Sequence, residues 1–97
     1  MNDFDRLLRQ IRDEAQAEGP EAVAHLEGLR ARFDLAVQLI ERRRELGMTQ
    51  VQLAAATGIA QSMISRIEQG NANPTVKTLN VLAQALDLRL TLTARAS

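Results

Sequence analysis

The sequence predicts a mainly α-helical fold: a small helical bundle, with a helical extension before it and one strand after it. Three observations predict this. Apolar residues recur at three- and four-residue spacing from residue 3 to residue 46, and again from residue 75 to residue 86. Between these stretches lie two short segments punctuated by Gly58 and Gly70, which reads as two helices meeting across a tight turn. After residue 87 the apolar period drops to two.

The first helix is predicted from Asp3, as N-cap, to about Ala17. Phe4, Leu7, Leu8 and Ile11 stand at i, i+3, i+4 and i+7. Gly19-Pro20 stops it and opens another. From Pro20 a helical pattern continues to Leu46, its apolar face built from Val23, Leu26, Leu29 or Arg30, Phe33, Val37 and Ile40. Gly28 leaves open whether this is one helix or two. Arg42, Arg43 and Arg44 suit its last turn, and Gly47 its left-handed cap.

Thr49 caps a short helix to about Thr57, Gly58 turns the chain, and a second short helix runs from about Gln61 to Gln69. Asn71 to Pro74 is a polar loop. Thr75 caps a further helix to about Leu86, with Leu79, Leu82, Ala83 and Leu86 inward. Leu88, Leu90 and Leu92 alternate with Arg89, Thr91 and Thr93, the pattern of a half-buried strand. A lone strand leaves backbone groups unpaired, so the same strand of a second copy is its expected partner across a two-fold axis. An extended tail or a last helical turn is the alternative.

Composition excludes several classes of function. The chain of 97 residues has no cysteine, hence no disulfide or thiolate metal site. His25 is the single histidine, and it reads as a surface or boundary residue. The aromatics are Phe4 and Phe33 alone, too few for a surface that stacks single-stranded bases. No paired carboxylates of a cleft, nucleophile-base set or phosphate loop is present, so no enzyme, cofactor or metal is expected. No apolar run reaches membrane-span length and the N-terminus is charged, so the expectation is a soluble cytoplasmic protein. The net charge is zero but unevenly placed. Residues 1–28 hold three arginines against seven acids, and residues 29–97 hold nine basic against five acidic residues. The positive excess lies in the part of the chain that contains the two short helices.

Those helices carry the candidate site. Leu53 and Ala54 form the inner face of the first; Ile59, Ile64 and Ile67 put the second onto the core. Outward on the second remain Gln61, Ser62, Ser65 and Arg66, short or planar polar side chains of the kind that read base edges in a major groove. Met63 sits near the edge, to meet a thymine methyl or to shield the core. Glu68 lies at the C-terminal end of that helix, where a carboxylate opposes the dipole and needs a cation. Arg43 is the candidate partner, in an ion pair that fixes the helix rather than touching DNA.

The string TQVQLAAATGIAQSMISRIEQGNANPTVKTLNVLAQAL resembles the XRE family, which includes the phage repressors and Cro. The resemblance covers roughly residues 35–87. It is carried by Thr49-Gln50, Leu53-Ala54, Gly58, Ile64-Ser65, Glu68, Gly70, Pro74 and Leu82-Ala83. It implies a lambda-repressor-like helix-turn-helix bundle that binds a palindromic duplex operator as a homodimer. Gln61, Ser62, Ser65 and Arg66 would face bases, Gln61 with the amide that suits adenine and Arg66 reaching guanine or a phosphate. Thr49, Gln50, Asn71, Asn73 and Lys77 would contact phosphates, and the Arg43–Glu68 pair is similar to one in family members.

The expected division is an N-terminal extension at 1–32, the helix-turn-helix domain at 33–87, and a dimerising strand and tail at 88–97. The small size, the domain and the strand together resemble HigA-type or HipB-type antitoxins. That likeness implies an autorepressor neutralising a co-encoded toxin, an RNA-cleaving protein of RelE/HigB-like kind. Phe4, Leu7, Leu8 and Ile11 would be its candidate toxin-binding face, or else would pack on their own domain or on the dimer partner. The alternatives are a stand-alone repressor without a toxin, and a protein-interaction adaptor that has lost DNA binding.

Overall fold

A computed structural model describes residues 2–95; the ends of the expected extension and tail, residue 1 and residues 96–97, lie outside it. Five helices follow one another: α1 (Asp3–Glu18), α2 (Pro20–Glu45), α3 (Gln50–Thr57), α4 (Gln61–Glu68) and α5 (Val76–Ala85). α1 and α2 form a hairpin. The C-terminal half of α2 packs on α4, α3 packs on α4, and α5 closes the bundle against α3.

Asn2, not Asp3, caps α1: its side-chain oxygen accepts from the Asp5 N–H at 2.8 Å. Asp3 and Asp5 then sit in the first turn, where acids complement the helix dipole. The hairpin turns at Gly19, with φ 121° and ψ −178°, a region open in practice to glycine alone. Pro20 opens α2, its missing N–H costing nothing at a helix start.

α2 is one helix of 26 residues, unbroken at Gly28. A helical glycine costs only about 1 kcal/mol, and helix propagation on both sides carries the chain through it. The expected division between residues 32 and 33 therefore falls inside a single helix. The buried face of α2 differs from the apolar stripe that the sequence predicts. Phe33 and Val37 are 57% and 49% exposed, whereas Ala36 and Leu39 are buried. The helix serves two partners, α1 and then the bundle, on different sides of its axis, so no single stripe runs its length.

The core consists of Leu39 from α2, Leu53 from α3, Ile64 and Ile67 from α4, Ala72 from the loop, and Leu82 and Leu86 at α5 and its cap. Leu53, Ile64, Leu82 and Leu86 are almost wholly buried, each contributing roughly 1.5–3 kcal/mol relative to exposure. Met63 packs against this core rather than standing free of it. Arg42 locks the far end, its Nε donating to the Leu86 carbonyl at 2.8 Å.

The C-terminal strand expected at Leu88, Leu90 and Leu92 is not formed. Among the described residues there is no strand, and residues 88–95 follow α5 as an irregular tail. The Leu88 N–H is spent on the Ala83 carbonyl at 2.7 Å, finishing the α5 cap over Asp87, whose φ is 54°. Leu90 is 41% exposed and Leu92 fully so. A strand requires a second strand to receive its backbone bonds, and no described segment of this chain supplies one. The tail touches back at Arg95, whose Nη2 lies 3.0 Å from the Glu27 carboxylate on α2. No helix among the described residues is long and apolar enough to cross a membrane.

Candidate nucleic-acid interface

The site begins at the first turn of α3. Thr49 accepts from the Gln52 N–H at 3.0 Å and its own N–H donates to the Gln52 side chain at 2.8 Å, a reciprocal capping box. The box fixes the direction of the helix start. It leaves the N–H groups of Gln50 and Val51, which have no helical acceptor, pointing out of the end of α3. Such an end favours an anion.

The turn into α4 is built by Thr57 and Gly58. The Thr57 hydroxyl donates to the Leu53 carbonyl at 2.8 Å and accepts from the Ile59 N–H at 3.2 Å. Ile59 and Ile64 then anchor α4 on the core, and the start of α4 has no side-chain cap. Its outer face presents Gln61, Ser62 and Arg66, all exposed, with Ser65 half-buried beside them. Gln69 belongs to the same face: its amide donates to the Ser65 hydroxyl at 3.4 Å. Gln69 is not among the residues expected on this face, although its place four residues after Ser65 and eight after Gln61 signals it. Asn71, Asn73 and Lys77 are exposed on the loop and on the first turn of α5.

Behind this surface lies a nearly buried polar cluster. Arg43 Nε and Nη2 donate to the two Glu68 oxygens at 2.7 and 2.8 Å, with side chains 11% and 5% exposed. Arg43 Nη1 donates to the Met48 carbonyl at 2.9 Å. Gln50 Nε2 donates to Glu68 Oε1 at 3.1 Å, an inward contact that the expected phosphate role of Gln50 does not include. α2, the 46–49 connection, α3 and α4 are thus tied at one point. Burial pushes the Glu68 carboxyl up, but the hydrogen bonds from Arg43 and Gln50 and the charges of Arg43 and Arg44 outweigh it, holding Glu68 below its ordinary range. The hydrogen bond from Arg43 to Glu68, with their attraction, raises the guanidinium despite burial, so both partners stay ionised at neutral pH.

The structure thus brings Arg43, Glu68 and Gln50 into contact. It sets Gln61, Ser62, Ser65 and Arg66 on one helix face, with Thr49 at the neighbouring helix start. Leu8 is half-buried in the hairpin, while Phe4, Leu7 and Ile11 are exposed on α1. Among the described residues no cluster of three or more histidine or acidic side chains is placed to hold a metal ion.

Two helices of eight residues meeting at a turn, the second anchored by isoleucines and polar outside, define a helix-turn-helix domain. The chain belongs to the HTH_3 helix-turn-helix family, which matches residues 39–92. It is 52% identical over 44 residues to an uncharacterized HTH-type transcriptional regulator of Sinorhizobium fredii, covering 45% of this chain and 57% of that protein. An uncharacterized HTH-type transcriptional regulator of Haemophilus influenzae is 41% identical over 61 residues, covering 63% of this chain and 62% of its own length. The chain therefore spans less than two thirds of these relatives. A crystal structure of an HTH_3 family transcriptional regulator from Vibrio cholerae superposes with a TM-score of 0.61 at 29% identity, covering 64% of this chain and 35% of that one.

Proposed function

We propose that this chain is a sequence-specific DNA-binding transcriptional regulator that inserts α4 into the major groove and clamps the flanking phosphates from the start of α3. The polar outer face of α4, held on the core by Ile64 and Ile67, carries this reading. Gln61, Ser62, Ser65 and Arg66 read bases; Thr49, Gln50, Asn71, Asn73 and Lys77 position the backbone. One α4 helix reads only a few base pairs, so a homodimer on a palindromic site completes the reading, and Leu88, Leu90 and Leu92 are its proposed contact.

The test is selection of bound duplexes from a random pool, followed by binding measurements on the selected sequence. Arg66→Ala and Gln61→Ala should each weaken it by about 1–3 kcal/mol and relax the selected base at one position. Lys77→Ala should weaken all sequences alike and lower the salt slope by about 1. If both recognition-helix variants bind as the parent does, the reading face lies elsewhere. If the parent enriches no duplex, the chain is a protein-binding adaptor instead. Truncation after Asp87 should give monomers in sedimentation; an unchanged dimer removes the tail from the interface.

The exposure of Phe4, Leu7 and Ile11 favours a second role on the same chain, an antitoxin whose α1 binds a co-encoded toxin. Co-expression with the product of the adjacent gene tests it. A complex that survives purification and is lost in Leu7→Asp supports the role, and two separately eluting proteins remove it.

A further inference from the structure

We infer that Glu68 is a positioning residue for the phosphate contact of Gln50: the carboxylate that fixes the end of α4 also sets the amide at the start of α3 before DNA arrives. The inference rests on the DNA-binding reading above. Gln50 is the first residue of α3, half-buried, with its amide 3.1 Å from Glu68 Oε1. That same oxygen accepts from Arg43 Nη2 at 2.8 Å, and the other carboxylate oxygen from Arg43 Nε at 2.7 Å. Arg43 is itself held by the Met48 carbonyl at 2.9 Å, one residue before the Thr49 cap. The orientation of Gln50 is therefore set by groups from α2, the connection and α4.

Two consequences follow from the chemistry. A glutamine amide has two N–H donors, and engaging one on Glu68 leaves the other for an acceptor outside the chain. A free glutamine would lose rotamer freedom on meeting a phosphate, whereas this one is already ordered, which lowers the entropic cost of the contact. A bare carboxylate this close to the DNA backbone would repel it. The bidentate guanidinium cancels that charge, so Arg43 permits Glu68 to act here.

The experiment is a mutant cycle on the full chain, using a mixed-sequence duplex at fixed low salt, since phosphate contacts do not depend on sequence. Gln50→Ala is introduced into the parent and into an Arg43→Met/Glu68→Leu chain, which replaces the ion pair by apolar volume. Gln50→Ala is expected to weaken the parent roughly tenfold, and the apolar chain less than about twofold. If the apolar chain fails to fold by circular dichroism, Arg43→Leu/Glu68→Met, which likewise leaves no oxygen acceptor at residue 68 and no unpaired cation, serves as the second background with the same expectation. In the free protein, the Gln50 side-chain amide resonance should lie away from its solvent-exposed position in the parent and return to it in the second background, a change that loss of stability alone does not produce. An equal factor in both backgrounds, no effect in the parent, or an unmoved resonance overturns the inference while leaving DNA binding intact. A parent that binds no duplex overturns both together.

Discussion

The ring of Phe33 lies on Gly70: a Cβ built at residue 70 would sit 3.2 Å from Phe33 Cδ1 and 3.3 Å from Cε1. Residue 70 also has φ 70°, closing α4 with its N–H on the Ile67 carbonyl and the Asn71 N–H on the Arg66 carbonyl. Both features require glycine, but with unequal force. The ring is more than half exposed and free to turn aside, whereas the left-handed backbone is fixed by the two cap bonds.

Gly70→Ala should therefore lose about 1–2 kcal/mol in urea unfolding, the usual cost of a side chain in that region. The loss should persist when Phe33→Ala is added. Relief by Phe33→Ala would make the ring, not the backbone, the limiting contact.

Arg43 and Glu68 are nearly buried, so removing one partner leaves the other charge without water. Arg43→Met or Glu68→Leu alone should each cost roughly 3 kcal/mol, while the double replacement should cost less than either. Chemical unfolding of the four chains checks this. Additive losses would mean that the two groups do not act as a pair.

The pair also predicts an acid limb of stability. Glu68 is held below its ordinary value of 4.5, so in the folded chain its carboxylate binds a proton less readily than in the unfolded chain. Its contribution is complete above the unfolded value and is lost as pH falls through the lower, folded value. Melting temperature followed from pH 7 downward should decline below about pH 4.5, and Glu68→Gln should decline less steeply over that window. Parallel curves would show that other carboxylates set the limb.

Gly28 offers a gain. It lies inside α2, exposed, with open space where a Cβ would go. Gly28→Ala should stabilise the chain by about 0.4–1 kcal/mol, through helix propensity and a less flexible unfolded state. A thermal melt reads this directly, and an unchanged midpoint would show that the hairpin opens independently of the bundle.

Much of this was legible in the residues themselves. Thr49, Thr75, Gly58, Gly70 and Pro20 act through local backbone chemistry, which depends on the nearest neighbours in the chain. Hence the three helices around the turn could be placed to within a residue or two. Leu53, Ile64, Ile67, Leu82 and Leu86 were legible as core for a related reason: each lies on a short helix or, for Leu86, at its C-cap, and over so few turns the helical period states what is buried.

The rest needed distances between residues far apart in sequence. α2 divides its length between α1 and the bundle, so the periodic stripe could not say that Ala36 and Leu39 turn inward while Phe33 and Val37 stay out. The alternation of Leu88, Leu90 and Leu92 states a preference for a strand, but a strand exists only where a neighbour accepts its hydrogen bonds, and no described part of this chain does. Gln50 stands 18 residues from Glu68, and only the folding of α3 against α4 brings its amide to that carboxylate. By itself the sequence determined where the helices of the motif begin, turn and end, because those signals are local. Only the tertiary structure decided which way α2 faces, what the tail does and what holds Gln50, because each depends on contacts between segments that the order of residues does not specify.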